Sequence, residues 1–127
     1  MKHEESNEQQ ALFKWARLQS KRYPALALMF HIPNGQKLAG NTAQRARTAM
    51  RLVAEGMSPG VPDICLPVAS APFHGLYIEL KRKDGGRVSP PQQKWLDNLQ
   101  SQGYMAVVCK GFDEARQAII EYLDIGD

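Results

Sequence analysis

Two short apolar runs, each carrying acid at a fixed place, constrain this chain more than any other feature. The first is Gly60-Val61-Pro62-Asp63-Ile64-Cys65-Leu66, the second Leu76-Tyr77-Ile78-Glu79-Leu80-Lys81. Side chains alternate across a strand with period two, so Glu79 and Lys81 share one face and Ile78 and Leu80 the other. If the runs pair as neighbouring strands, Asp63 joins Glu79 and Lys81. A carboxylate inside an apolar run is costly unless it is paired or binds a metal. Two carboxylates suit Mg²⁺, which takes hard oxygen ligands and keeps several waters. A lysine beside them can orient or deprotonate an attacking water, or offset the charge that builds on a phosphate. These are the parts of a phosphodiester hydrolase. Each part has a plainer reading when taken alone. Pro62-Asp63 is also ordinary turn chemistry, and Lys81 also serves as a structural partner for Glu79 or a solvated edge residue.

Composition narrows the class. At 127 residues the chain suits one domain, 1–127, large enough to bury a core without staples. Hydrophobic residues make up 43%, which argues against global disorder. No apolar run is long enough to span a bilayer. The start, Met1-Lys2-His3-Glu4-Glu5, has no apolar core of a signal peptide, and a cytoplasmic location is expected. Cys65 and Cys109 both fall in apolar strand-like runs and read as reduced core residues. Net charge is +3 but unevenly placed. Residues 1–112 carry 15 Lys/Arg against 8 Asp/Glu, a net +7, and residues 113–127 carry one against five, a net −4. A basic body favours a polyanionic partner through counterion release, although basic residues also simply solvate a surface.

Periodicity and punctuation place these runs in a larger pattern. Residues 5–20 read as an amphipathic helix with Leu12, Trp15, Ala16 and Leu18 on one side. Pro24 closes it, and Ala25–Ile32 is expected to be a strand ended by the turn Pro33-Asn34-Gly35. Asn41 or Thr42 caps a helix over 42–55 that stops at Gly56 and carries Arg45, Arg47 and Arg51. Strands follow at about 63–68 and 75–82. Ser89-Pro90-Pro91-Gln92 starts a helix, with Ser as cap, Pro in the first turn and Gln in a capping box. A strand at 104–109 and a helix at 113–123 complete the order α-β-α-β-β-α-β-α.

Five features in this order resemble the VRR-NUC branch (virus-type replication-repair nuclease) of the PD-(D/E)xK nuclease superfamily. They are Glu5-Ser6-Asn7-Glu8-Gln9 in the first helix, Pro33-Asn34-Gly35, Gly60-Val61-Pro62-Asp63, Glu79-Leu80-Lys81 and Ser89-Pro90-Pro91-Gln92 followed by Trp95. The resemblance runs from about residue 5 to residue 110. It implies an α/β, restriction-endonuclease-like core with a four-stranded mixed sheet flanked by helices. Against the superfamily core α-β-β-β-α-β, the helix at 42–55 would be an insertion and the last helix an appendage.

The resemblance also implies a site. Asp63 and Glu79 hold Mg²⁺ or Mn²⁺, with the backbone carbonyl of Leu80 facing the ion. Lys81 positions and activates the water. Gln92 stands near the scissile phosphate, with Gln93 as the alternative, although Gln92 equally suits a capping box. A first-helix glutamate completes the site: Glu5, which shares a face with Gln9 at i and i+4, or Glu8. Acids in a first helical turn are also ordinary dipole partners. Lys83, Arg87, Asn34 and Arg47 are candidate DNA contacts. His31 lies near Asn34 and either touches substrate or is a satisfied strand residue, while His3, His31 and His74 make no ligand cluster. Trp15 and Trp95 read as core. The expected activity is a metal-dependent, structure-selective DNA endonuclease. It would cut Holliday junctions or other branched DNA as a homodimer, in a bacterial or phage-infected cell. A nuclease for flaps or plain duplex, or a cleavage-inactive DNA-binding or assembly module, stays open.

Overall fold

The computed structural model describes residues 2–34 and 38–126, and the side chains of 4–34 and 38–126. Gly35 of the expected Pro33-Asn34-Gly35 turn and the side chain of His3 lie outside the described residues. In chain order the elements are α1 (Lys2–Gln19), a 3-10 turn (Pro24–Leu28), β1 (Phe30–His31), α2 (Thr42–Ala54), β2 (Ile64–Leu66), β3 (Leu76–Lys81), α3 (Pro90–Ser101), β4 (Met105–Lys110) and α4 (Gly111–Leu123). The sheet order is β1-β2-β3-β4. β1/β2 and β2/β3 are antiparallel, and β3/β4 is parallel with α3 as the crossover. Parallel neighbours need such a crossover because a hairpin cannot join them.

The period-two pattern of β3 divides the molecule into two layers. Leu76, Ile78 and Leu80 face α1 and α4, where they pack with Leu12, Ala16, Ala115 and Ile119. Tyr77 faces α3, where Leu96 and Leu99 pack with Ala106. Burying a leucine or isoleucine completely stabilises the fold by roughly 1.5–3 kcal/mol. The two faces together therefore hold β3 in one register, since a slip of one residue would turn Glu79 into the larger core. Glu79 and Lys81 continue the Tyr77 face beyond the end of the apolar cluster.

Two stretches differ from the reading of the sequence. Ala25–Ile32 is not one strand: it forms a 3-10 turn over Pro24–Leu28 and a strand of only two residues. Pro24 fixes φ for the turn, and Ala-Leu-Ala-Leu carries helix formers with no β-branched residue. β2 is also short, because Pro67 follows Leu66 and cannot extend a ladder. The helix over 42–54 is capped by Asn41 in a capping box with Gln44. It contributes no buried residue, as an insertion outside the core should. Cys65 and Cys109 are buried and unpaired with each other. Among the described residues no helix is long and apolar enough to cross a membrane.

Candidate metal and catalytic site

The site forms where β2 begins and β3 ends. Ile64 pairs with Ile78, so Asp63 stands one step beyond the ladder, beside Glu79. Asp63 Oδ2 accepts the Leu80 amide at 2.8 Å. Its backbone carbonyl accepts the Ile32 amide at 2.6 Å and His31 Nδ1–H at 3.0 Å. Asn34 Nδ2 donates to the Val61 carbonyl at 3.2 Å, which ties the end of β1 to the loop that delivers Asp63. His31, Ile32 and Asn34 thus hold the backbone that delivers Asp63, and the Leu80 amide holds its carboxylate.

Glu79 is almost wholly buried, 2% exposed. Its Oε2 receives Gln92 Nε2–H at 3.2 Å and faces Lys81 Nζ at 3.5 Å. Its Oε1 is buried and accepts no hydrogen bond from the described residues. Burial pushes the Glu79 carboxyl up to about 8, the nearby Asp63 charge adds to this, and Lys81 opposes it. Burial likewise raises Asp63, held back by the Leu80 amide. Two carboxyls that share a dry site resist ionising together. A cation between them reverses that balance.

Gln92 joins helix to site. Its Oε1 accepts both the Ser89 amide at 2.8 Å and Lys81 Nζ at 3.0 Å, while Ser89 Oγ accepts the Gln92 amide at 3.3 Å. The capping box and the contact to Glu79 and Lys81 are therefore made by one carboxamide. The capping role therefore does not keep Gln92 away from the Glu79–Lys81 pair. Gln93 instead donates to Asp97 at 2.9 Å on the exposed side of α3.

The other expected residues are placed differently. Glu8 Oε1 accepts the Phe112 amide, so Glu8 serves the N-terminus of α4. Glu5 is half-buried on the same helix. Among the described residues no group of three or more Asp, Glu, His or Cys converges as a metal cage, so neither glutamate closes one around Asp63 and Glu79. Lys83 and Arg87 are exposed after β3. The Lys83 stem lies against Gly111, 3.3 Å from where a Cβ would stand. Arg47 is exposed on α2, where it and Arg51 border a shallow depression. Trp15 packs against the larger core, and Trp95 packs on the smaller one with its indole N–H on Ser58 Oγ at 3.3 Å.

Sequence reasoning missed two positioning residues. Gly60, at φ +87°, presses on the first turn of α3 so closely that a Cβ would sit 2.6 Å from the Pro91 carbonyl carbon. The dipeptide Pro59-Gly60 signals a turn but not what the turn touches. His31 is expected either to touch substrate or to be a satisfied strand residue; that its ring bonds the Asp63 backbone, 32 positions away, is not legible locally.

Hard oxygen donors, one of them unpartnered and buried, are what a divalent ion requires. The VRR-NUC domain family matches residues 3–113. A solved structure described as a VRR-NUC domain protein superposes with a TM-score of 0.77 at 28% identity, covering 98% of this chain and 91% of that one. Among curated proteins no sequence matches. With five motifs in order, this topology and this match, the chain belongs to the VRR-NUC family, nucleases of the PD-(D/E)xK type that use divalent metal ions.

Proposed function

We propose that this chain is a Mg²⁺- or Mn²⁺-dependent endonuclease that selects branched DNA, Holliday junctions above all, by its shape. The observation that carries the metal reading is Glu79 Oε1, a buried carboxyl oxygen with no donor among the described residues, beside a second carboxyl and an ammonium. A buried group of this kind costs about 1–3 kcal/mol when left unmade, so it signals a ligand from outside the chain.

Asp63 and Glu79 would hold the ion, with the Leu80 carbonyl as a further oxygen. When bound, the ion neutralises charge on the scissile phosphate and the leaving oxygen. Lys81 Nζ, held by Gln92, orients a water against phosphorus. The water lone pair would form the new P–O bond as the opposite P–O bond to the deoxyribose breaks, the leaving oxygen taking up a proton from solvent as the water gives one up. The proton leaves to solvent, and Lys81 offsets the growing negative charge. Gln92 holds Lys81 and Glu79 side by side, its carbonyl oxygen accepting from Lys81 and its amide donating to Glu79. Glu5 or Glu8 would act at the outer edge of the ion or on a second ion, Glu8 while its Oε1 also accepts the Phe112 amide.

A domain this small reads little sequence, so shape is the economical source of selectivity. Two opposed cuts at a junction require two sites, which a C2 homodimer supplies. Arg47, Lys83 and Arg87 are exposed cations for phosphate contact, and Asn34 would act through the loop it ties. The proposed setting is the cytoplasm of a bacterial or phage-infected cell.

A panel of labelled four-way junctions, flaps, blunt duplexes and single strands, each with Mg²⁺, Mn²⁺ or EDTA, tests this. Metal-dependent cuts placed symmetrically in the junction are expected, with light scattering giving a dimer. Cleavage in EDTA, or binding without cleavage in either ion, would leave the inactive-module reading. Equal cutting of duplex and junction by a monomer would remove the shape reading.

A further inference from the structure

A groove runs between α1 and β1, with a volume of about 800 Å³. Gln9, Phe13, Lys14 and Arg17 line it from α1, and Phe30 and His31 from β1. Among the described residues no carboxylate lines it, while Lys14 and Arg17 do. Phe30, on the edge strand, is 47% exposed and leaves part of its ring open to the groove. The Arg17 guanidinium lies 5.8 Å over the Phe13 ring. The groove ends on His31, whose Nδ1–H is bonded to the backbone of Asp63 at 3.0 Å. One of its walls therefore continues directly into the residue that opens the metal site.

We infer that this groove takes a single-stranded stretch of DNA and leads it to Asp63. The direction of the strand rests on the nuclease reading above; the binding itself does not. Single-strand sites combine cations that follow the backbone with aromatic faces on which bases stack. The α1–β1 groove has both, and duplex DNA has no exposed base face to use an aromatic ring. The two glutamine-rich and cationic turns of α1 would follow the phosphates, while Phe30 offers a base platform near the site. Branched substrates expose unpaired nucleotides at their centres. The groove would therefore distinguish a junction or a frayed fork from an intact helix. An apolar partner protein would use the aromatic and aliphatic side chains but would give Lys14 and Arg17 no counter-charge, which a phosphate backbone supplies.

The test is fluorescence anisotropy in EDTA with a labelled oligothymidylate and a labelled blunt duplex, using the full chain. Phe30→Ala and the pair Lys14→Glu/Arg17→Glu change exposed positions and should fold, which circular dichroism checks. Each should weaken oligothymidylate by roughly tenfold, the order of one lost stacking or phosphate partner, and leave the duplex unchanged. Photocrosslinking with a 5-iododeoxyuridine oligonucleotide gives a second readout that needs no variant. Adducts within residues 9–31 support the groove. Adducts confined to α2, equal losses on duplex and single strand, or absence of oligothymidylate binding overturn it. Loss of self-association in Phe30→Ala with unchanged DNA binding also overturns it, in favour of a second copy in the groove. Failure of all metal-dependent cleavage with single-strand binding retained would instead remove the nuclease reading and keep the groove.

Discussion

Asp63 and Leu80 are locked together across two strands: the Asp63 carboxylate accepts the Leu80 amide at 2.8 Å. The β2 ladder ends at Ile64, so this amide would otherwise face the site without a partner. One acid of the pair is thereby positioned by the strand that carries the other. The separation of Asp63 and Glu79 is set by sheet geometry, and no loop needs to close to bring them together.

Asp63→Asn follows from that contact. The amide oxygen still accepts the Leu80 N–H, so the fold should survive with a melting temperature near that of the parent. The charge is gone, and cleavage should drop by roughly a thousandfold or more, as for groups that act as a unit. Isothermal titration with Mn²⁺ should show the loss of ion binding directly. A fully active Asp63→Asn protein would remove Asp63 from the site.

Glu79 links metal, pH and stability. Its folded carboxyl is raised to about 8 from an ordinary 4.5, mainly by burial. The folded protein therefore binds this proton more tightly than the unfolded chain between those values. Metal-free stability from this group is greatest at the acid end and falls as pH rises through about 8. Glu79→Gln should be inactive, yet more stable than the parent at about pH 9 by on the order of 2 kcal/mol. The stability difference between the two should shrink toward about pH 5. Mg²⁺ should restore the parent at high pH and leave the variant unchanged, and ion affinity should weaken as pH falls below about 8. A cleavage assay reads the first outcome, and urea melts across this range with and without Mg²⁺ read the others; a stability difference independent of pH contradicts the assignment.

Ser89 and Gln92 separate the cap from the clamp. Ser89→Ala removes the cap acceptor and should cost about 1 kcal/mol while keeping the Gln92 bonds to Lys81 and Glu79. Gln92→Leu removes both and should cost activity well beyond its effect on stability. A KM near that of the parent with a kcat lowered by roughly ten- to a hundredfold is expected, since Lys81 is then unheld. Equal activity in the two variants would make Gln92 a cap alone.

Much of this site was legible because strand periodicity is short. Glu79 and Lys81 share a face at a spacing of two, and Asp63 lies at the start of the adjoining run, so a local pattern carries the pair. Gln92 was legible through its capping box with Ser89, which is also local. What escaped depends on contacts distant in the chain. Glu8 engages Phe112 across 104 positions, and nothing in the α1 spacing separates that role from metal binding. The strand expected over Ala25–Ile32 failed because an apolar run has no period to tell a 3-10 turn from a strand; only Pro24 and the absence of β-branched residues before Ile32 point to the turn. The groove between α1 and β1 exists only once that turn has carried the chain back toward the sheet.

Gly60 gives the sharpest test of how the site is assembled. Two glycines in this region have positive φ, Gly56 at +114° and Gly60 at +87°. A Cβ on Gly56 meets nothing within 4 Å. On Gly60 it would lie 2.6 Å from the Pro91 carbonyl carbon and 2.8 Å from the Gln92 nitrogen, both backbone atoms that cannot swing aside. Gly56→Ala therefore measures left-handed strain alone and should cost about 1 kcal/mol. Gly60→Ala adds a collision between the loop carrying Asp63 and the turn carrying Gln92. It should cost on the order of 2–4 kcal/mol, and relief requires α3 to move away from the sheet. That movement draws Gln92 off Lys81 and Glu79, so Gly60→Ala should lose cleavage at temperatures where it is still folded, while Gly56→Ala keeps it. Thermal melts and cleavage rates measured on the two variants side by side decide the matter. Equal stability losses, or full cleavage by folded Gly60→Ala, would show that the loop and the helix do not depend on this close approach.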